Sequence, residues 1–459
     1  MLRLWLKGTA MQRQNMSVSR VSLAMVILCL VGMCIPSGGQ TPTGGQAAGQ
    51  TNRPMRNKQT LVLTVGQKEG DLQGSNDKVI QAGIDYLHRL GGGTLRVGPG
   101  VYELRNAIYL YPHITLSGSG ETTVLRKGAS VVAKLAKDSD WYEYGVAVSD
   151  PTGFAPGDGV LLRSSTGPGA WQYEVLQATI TAVEGSILFL SRMTEENFWT
   201  EKDATAATVF PILTAEDVDD VQIEDLVLDG NRDHNEHING NFAGAVFIQN
   251  CNRWQFRNVV ARNYNGDGFS FQVCDDVQFQ DCKALNNADL GFHPGSGSQR
   301  PVFRNCESRG NSQGIFFCWG VSDGLAENCT LSENTNCGIS IGHRDTDNTV
   351  RNCTLERNGE VGILFRSEAG EFRCGHRNRI EGCLIRDTGA GKPGIGIDVR
   401  GQTHDITIRD TRLENTASGN QKVGIRIGAE ARRISLEANT YEGCPTSVED
   451  LRSAENQSR

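Results

Sequence analysis

One short phrase recurs along the second half of the chain, and it limits the fold more than any single residue does. In each copy two alternating apolar positions run into Asn-Cys or Asp-Cys, an Asn-rich turn follows, and the chain resumes at a glycine that leads another alternating pair. Val277 to Cys282 leads in this way to Gly291, Phe292 and His293, and Phe303 to Cys306 leads to Gly314, Ile315 and Phe316. The period is roughly two dozen residues. Cys282, Cys306, Cys329 and Cys353 recur in phase, with Val259 one step earlier, and so do Gly268, Gly291, Gly314, Gly338 and Gly362. A unit this short cannot bury its own apolar side, so the copies must stack into one continuous core. Alternation with period two makes each half-unit a strand.

Strands stacked at constant phase build an all-β solenoid, a parallel β-helix, in which each coil pairs with its neighbours about 4.8 Å away. The alternation turns Phe269, Ile315, Ile339, Ile363, Ile395 and Ile425 inward, and Ser270, His293, Phe316, Ser340, Leu364 and Arg426 outward. A leucine-rich repeat is disfavoured, because its Leu spacing is absent and no helical pattern follows Asn-Cys.

Composition agrees with an ordered scaffold of many tight turns: of 459 residues, 54 are Gly and only 13 are Pro. The net charge of −8, without a long basic run, argues against a nucleic-acid partner. Residues 1–39 read as a signal peptide, with Arg3, Lys7, Arg13 and Arg20 ahead of the apolar run Val21 to Ile35. That run is shorter than the ~20 residues of a bilayer span, so the expected location is secreted, periplasmic or cell-surface, with no transmembrane anchor after cleavage. Residues 40–58 read as a flexible linker and 59–459 as the β-helix domain. A helix is expected from Asn76 to Leu90, with Ser75 as its N-cap and Ile80, Ile84 and Leu87 on the face that lids the first coil. Residues 141–212 interrupt the repeat and read as a small antiparallel β insertion with a hairpin at Glu184 to Ser186. Its Trp141, Tyr142, Trp171, Tyr173 and Trp199 are expected to pack its core rather than stack on sugars. Of thirteen cysteines, Cys29 and Cys34 precede residue 40, which leaves an odd number. The in-phase set suits inward packing as free thiols, while Cys251 and Cys274 share a phase that geometry allows to be bridged.

Three passages carry a resemblance: Gly91 to Tyr102 after the helix, Ile114 to Leu125, and Leu228 to Asn231. On these the chain, over most of residues 60 to 445, resembles the right-handed parallel β-helix proteins of the pectate-lyase superfamily. Within it, the stretch from Leu228 through Phe271 is most similar to the catalytic modules of mannuronan C5-epimerases. Those modules carry Asp-Pro-His-Glu on the glycine-led strand, where this chain reads Ser270, Phe271, Gln272 and Val273. The resemblance therefore implies the fold and a carbohydrate-associated role, and it does not supply the epimerase residues.

The outward face gathers the chemistry. His293, His343, Arg344 and Arg366 are the catalytic candidates; Ser270, Gln272, Phe316, Trp319, Glu368, Asp398 and Arg400 are substrate-binding candidates, joined by Asp267 and Asp289 from the turns ahead of Gly268 and Gly291. Residues of equal phase two coils apart lie about 10 Å apart, the span of a sugar or two. Arg344 and Arg366 suit uronate carboxylates through charge-assisted hydrogen bonds, and His293 suits a general base near neutral pH. Arg344, Glu368, Asp398 and Arg400 equally suit pairing along a solvated face. The long turn Asp229 to Asn241 enters the same edge and is placed to wall a cleft. Its Asp233, His234, Glu236 and His237 lack a recognised ligand spacing, so no metal site is assigned. The expected activity is that of a polysaccharide lyase on an acidic, uronate-containing polysaccharide. Its cofactor is left open, a divalent cation such as calcium being the one this chemistry accommodates, and the oligomeric state is left open too. The alternatives are a glycoside hydrolase using Asp267, Asp289 or Asp398, and a non-catalytic glycan-binding or surface scaffold protein.

Overall fold

The computed structural model describes residues 61–166, 173–390, 392–454 and 457. The signal peptide, the linker and Trp171 lie outside the described residues. The chain winds into a parallel β-helix whose coils contribute an 11-stranded parallel sheet and a 22-stranded second set. The 11-stranded sheet runs from Ile108–Tyr109 to Thr446–Asp450, and its inward row is continuous, with one register shift between Gly394 and Ile395. Val246, Phe269, Phe292, Ile315, Ile339, Ile363, Ile397, Ile425 and Val448 pair in succession. The expected inward residue Ile395 is corrected to Ile397: Ile395 pairs with Val361 and Val423, because the relevant glycine is Gly396 and not Gly394.

The glycine file is aligned as the repeat requires. A Cβ on Gly268 would meet the carbonyl of Gly291 at 2.6 Å, and the same holds from Gly291 to Gly314 and from Gly338 to Gly362. Each coil's backbone therefore occupies the space a side chain would need. The Asn/Asp of the Asn-Cys phrase is explained by the corner it makes. Asn258, Asp281, Asn305, Asn328 and Asn352 adopt left-handed φ of 51 to 55°, a conformation that Asn and Asp tolerate better than most residues. The following cysteine then faces inward: Cys282, Cys306, Cys329 and Cys353 are buried free thiols, and Cys383 extends the file. Cys251 and Cys274 are free as well, the Cys251 amide donating to Cys274 Sγ at 3.4 Å.

Polar groups inside the coil are satisfied by a second file. The amide of Asn287 donates to Asn311 Oδ1 at 2.9 Å, that of Asn311 to Asn334 Oδ1 at 3.2 Å and that of Asn334 to Asn358 Oδ1 at 3.1 Å. Phe256, Phe279 and Phe303 stack face to face, with ring centroids 4.7 and 5.2 Å apart.

The helix α1, Asp77–Arg89, caps the first coil, with Ile80, Ile84 and Leu87 wholly buried. Its N-cap is Asn76 instead of Ser75, and the Asn76 side chain accepts from the Lys78 amide. The insertion is a 6-stranded antiparallel sheet, with its tight turn between Glu184 and Ile187, and it has a separate core around Leu162, Ile180, Leu188 and Phe198. Trp141, Tyr142 and Tyr173 do not fill that core, contrary to expectation: Trp141 and Tyr173 are exposed and Tyr142 is 70% exposed, because aliphatic strand residues with Phe154 and Phe198 already close it.

Candidate functional site

Strand alternation sets two rows of side chains on the outer surface of the 11-stranded sheet. Phe247, Ser270 and His293 lead the first row; Phe316, Ser340, Leu364, Asp398 and Arg426 continue it. Asp398 thus stands in the row itself, not beyond it as the Gly394 reading implied. Two residues further along each strand come Gln272, Gly295, Cys318, Gly342, Arg366 and Arg400. Glycine at two of these places lets long neighbours cross: the Gln272 amide lies where a Gly295 side chain would be, and the Arg366 guanidinium where a Gly342 side chain would be.

At the centre, Asp267 from one coil reaches His293 on the next, with Oδ2 2.7 Å from Nδ1. Asp267 is oriented by the Leu290 amide, which donates to Oδ1 at 2.9 Å. Nδ1 therefore carries the proton that faces the carboxylate, and Nε2 is the free nitrogen; it is buried without a hydrogen-bond partner. Burial works against the imidazolium, but the Asp267 carboxylate outweighs it, and His293 is raised to about 10. Burial likewise pushes Asp267 up, while His293 draws it back. Ser270 Oγ lies 3.4 Å from Nδ1 and donates to the Asn241 carbonyl at 2.8 Å. Phe316 meets the imidazole edge to face at 5.6 Å.

The arginine that was expected to grip a substrate is already occupied. Arg366 donates to Ser340 Oγ at 2.8 Å, the Phe317 carbonyl at 3.0 Å, Asp345 at 3.1 Å and Glu368 at 3.3 Å, and it lies over the Phe316 ring at 4.4 Å. Asp345 is fully buried and raised to about 6 by that burial, opposed first by Arg366 and then by backbone amides of Gly342, Val321 and Gly320. Arg366 is thus a structural strut. Arg344 is exposed and makes no ion pair among the described residues. Beside it, Trp319 is 52% exposed and stacks on His343, with centroids 4.4 Å apart and planes 8° from parallel. Burial lowers the His343 pKa, against the pull of Glu368. Asp398 is buried, bonded through Oδ2 to Arg400 Nε at 2.7 Å, and its Oδ1 has no partner.

The expected open trough is a roofed one. Ser270, His293, Ser340 and Asp398 are all buried, His293 to 3% exposure. The turn between Asp229 and Gly244 does more than wall the face. Its Asn241 carbonyl takes the Ser270 hydroxyl, His237 Nε2 pairs with Asp289 Oδ2 at 2.9 Å, Glu236 pairs with Arg163 at 2.8 Å, and the Ile238 amide donates to the Asn265 carbonyl at 3.0 Å. Asp289 thus anchors this strap instead of facing the row. Asp233, His234, Glu236 and His237 do not converge, and no group of three or more metal-ligating side chains occurs among the described residues.

Three groups escaped the sequence reading. Asp345 takes the corner place that Ser298 fills two coils earlier: Ser298 Oγ accepts from the Cys274 amide, and Asp345 Oδ1 from that of Val321. That phase was readable. Ser340 and Cys318 gave no signal beyond their phase on the outer rows.

Residues 244–413 match the family described as right handed beta helix region. No curated protein matches the chain in sequence. The A-module of the Azotobacter vinelandii mannuronan C-5 epimerase AlgE4 superposes with a TM-score of 0.53 at 16% identity, over 85% of this chain and 100% of that one. The A-module of AlgE6 from the same organism gives 0.52 at 16% identity, over 84% and 95%. PfbA, a surface adhesin of Streptococcus pneumoniae, gives 0.51 at 12% identity, over 84% and 93%. Identities this low establish a shared fold and leave the chemistry to the site. No helix among the described residues is long and apolar enough to cross a membrane. With its single-file glycines, parallel sheets and matched repeat region, the chain has a right-handed parallel β-helix fold.

Proposed function

We propose that the protein is a polysaccharide lyase acting on an acidic, uronate-containing polysaccharide, with His293 as the base that removes the C5 proton. The observation that carries this is the buried His293–Asp267 pair, with Nε2 unpartnered on the outer row. Asp267 fixes the tautomer, so a neutral imidazole presents its lone pair at Nε2. Nε2 takes the C5 proton, the released electron pair forms the C4–C5 double bond, and the C4–O bond breaks. The departing oxygen then takes a proton from the imidazolium. Because charge builds up on the uronate carboxylate, a cation facing it is the main stabilising element. Arg344 fits that role, since Arg366 is held by its own partners. The Trp319–His343 stack offers a flat surface for a sugar ring beside it. Two solved relatives by fold are named for mannuronan chemistry, which agrees with a polyuronide substrate.

His293 is buried, so the groups over it must move before a polymer reaches Nε2, and the strap, whose Asn241 carbonyl takes the neighbouring Ser270 hydroxyl, is the segment tied across that row. The test is incubation with a panel of polyuronides while following the ultraviolet absorbance of the unsaturated product. Product formation that disappears in His293→Gln supports the reading. New reducing ends without that absorbance would assign a hydrolase, and retention of glycan without any product a binding protein.

A further inference from the structure

Beyond the outer rows, three successive coils end in a surface of rings and cations. Trp319, half exposed, stacks on His343 of the next coil with ring centroids 4.4 Å apart. Arg344 follows His343, and its amide donates to the Arg373 carbonyl at 2.8 Å, which ties it to the loop of the coil after that. This loop makes a single 3-10 turn, Glu371–Arg373, in which Phe372 is 70% exposed and the Arg373 guanidinium lies over the Phe372 ring at 5.3 Å. The turn is anchored despite its exposed ring. Glu371 Oε2 meets Arg432 at 2.7 Å, its Oε1 meets His404 Nε2 at 3.4 Å, and its carbonyl oxygen lies 2.8 Å from His376 Nε2. Large apolar groups held together at the surface mark a place where another molecule lies.

Charge indicates which kind of molecule. Arg366, Arg377, Arg400 and Arg432 of the same coils all pair with carboxylates. Arg344 and Arg373 are exposed and make no ion pair among the described residues. The carboxylates beside them are engaged elsewhere: Glu368 takes the His343 amide at 3.0 Å and Arg366 at 3.3 Å, and Glu371 is held by Arg432 and His404. In a chain of net charge −8, two uncompensated cations beside two exposed rings suit a ligand that carries anionic groups on apolar-faced rings.

We propose that Arg344 and Arg373 bind the carboxylates of two consecutive uronates, with Trp319 and Phe372 as the surfaces for their sugar rings, so that the site selects stretches of polymer in which acidic sugars are contiguous. The inference rests on the reading that the site takes a polyuronide, and it adds Phe372 and Arg373 and a requirement on sequence within the polymer. Coils advance by about 4.8 Å, about the length of one sugar, and the backbones of Arg344 and Arg373 pair across neighbouring coils. One arginine per coil therefore matches one carboxylate per sugar. A neutral sugar at either place leaves one guanidinium without its partner, whereas the rings accept either kind of sugar.

The test measures binding by calorimetry at low salt and about pH 6, where His293 keeps its proton and cleavage is slow. The probes are two six-sugar chains, one of uronates throughout and one alternating uronate with a neutral sugar. The native protein should bind the contiguous chain about fivefold more tightly, the upper range for an exposed ion pair, and added salt should shrink that preference. Arg373→Gln should erase the preference by weakening the contiguous chain alone, and Phe372→Ala should weaken both chains by the same factor. Both side chains are exposed, and circular dichroism checks that the variants fold. Equal affinity for the two chains in the native protein would overturn the proposal, as would a preference that survives Arg373→Gln. A sulfated glucan bound as tightly as the contiguous uronate would overturn it too, by making the patch a surface for any polyanion. Contiguity-dependent binding without unsaturated product at any pH would remove the lyase reading and keep this one; product formed without a contiguity preference would do the reverse.

Discussion

Inside the coil, neighbours in successive turns are alike; on the outer face of the 11-stranded sheet they are not. Phe256 stacks on Phe279 and Phe279 on Phe303, Asn311 bonds Asn334 and Asn334 bonds Asn358, and Ile339 pairs with Ile363 and Ile363 with Ile397. The outer row reads Ser270, His293, Phe316, Ser340, Leu364, Asp398. Both rows sit on the same backbone with the same spacing. Stacking alone favours identical neighbours, because each coil meets its neighbours in the same way. A row that never repeats on that backbone has been shaped by something other than stacking, and this distinguishes the site from the scaffold.

The largest expected effect tests the outer row. His293→Gln should lower turnover on a polyuronide, per folded molecule, by about 10³-fold, within the range for loss of a positioned general base; it also lowers the thermal midpoint, because Asp267 loses its buried partner, so rates are compared well below that midpoint. The pH profile sharpens the assignment. His293 is held protonated up to about 10 by Asp267, despite burial that disfavours the charge, and a base works only when deprotonated. The rate should therefore climb with pH toward that value, about tenfold per unit below it. A rate that falls across the same range would make His293 an acid and favour hydrolysis.

The inner file should show the opposite pattern. Asn334→Ala leaves the Asn311 amide and the Ser308 carbonyl buried without partners. The expected loss is about 3 kcal/mol of stability, measured by denaturant unfolding, with kinetics per folded molecule unchanged.

This contrast also explains what was legible in the sequence. The inner rows repeat, so the period of Cys282, Cys306, Cys329 and Cys353 and of the glycines revealed the coil directly. One slip, Ile395 for Ile397, arose where Gly394 and Gly396 both offer a glycine-led pair and only the register decides between them. Site residues had to be read by phase alone, and phase says which way a side chain points without saying what lies over it. The strap tied down by Asn241 and His237, the saturation of Arg366 by Ser340, Phe317, Asp345 and Glu368, and the Asp267–His293 pair across coils all depend on contacts distant in sequence. The aromatics of the insertion were misplaced for a related reason. The Leu, Ile, Val and Ala of the strands close this small core together with Phe154 and Phe198 and leave Trp141 and Tyr142 outside.

Lys127 is a charged residue at an inward position, paired in register with Leu104 and completely buried. It lies over the rings of Phe210 and Tyr264 at 5.0 and 5.2 Å and donates to Asn265 Oδ1 at 3.3 Å. Burial lowers its pKa to about 7. Between that value and the ordinary lysine value near 10.4 the unfolded chain binds a proton that the folded chain does not, so stability rises with pH across this window and falls as pH drops toward 7. Lys127→Met should flatten that dependence and raise stability at neutral pH by about 2 kcal/mol. No gain in the thermal midpoint would mean that an inward position here tolerates charge, and the contrast between the rows would weaken.

A smaller effect belongs to the exposed end of the outer rows. Trp319→Ala removes the flat surface stacked on His343 and should raise KM by about tenfold, or about 1.4 kcal/mol, with kcat unchanged. A fall in kcat with KM intact would place Trp319 closer to the reacting atoms than its exposure suggests.

The smallest effect concerns the strap tied across the outer row. His237 is exposed and its pKa is raised, first by its hydrogen bond to Asp289, against partial burial. The charged pair is complete below the ordinary histidine value near 6.5 and is lost as pH rises through the raised one. Solvent screening keeps its contribution to about 0.5 kcal/mol. Proteolytic cleavage within the strap, residues 231–243, should therefore quicken about twofold as pH rises through that transition. His237→Ala should show the faster rate at every pH. If the strap is what covers Nε2, polyuronide turnover in His237→Ala should rise by a similar factor at low pH, where the native tether is closed. Cleavage that quickens without any change in turnover would separate the strap from access to His293, and the roof over the row would have to be sought in Phe316 and Gln272 instead.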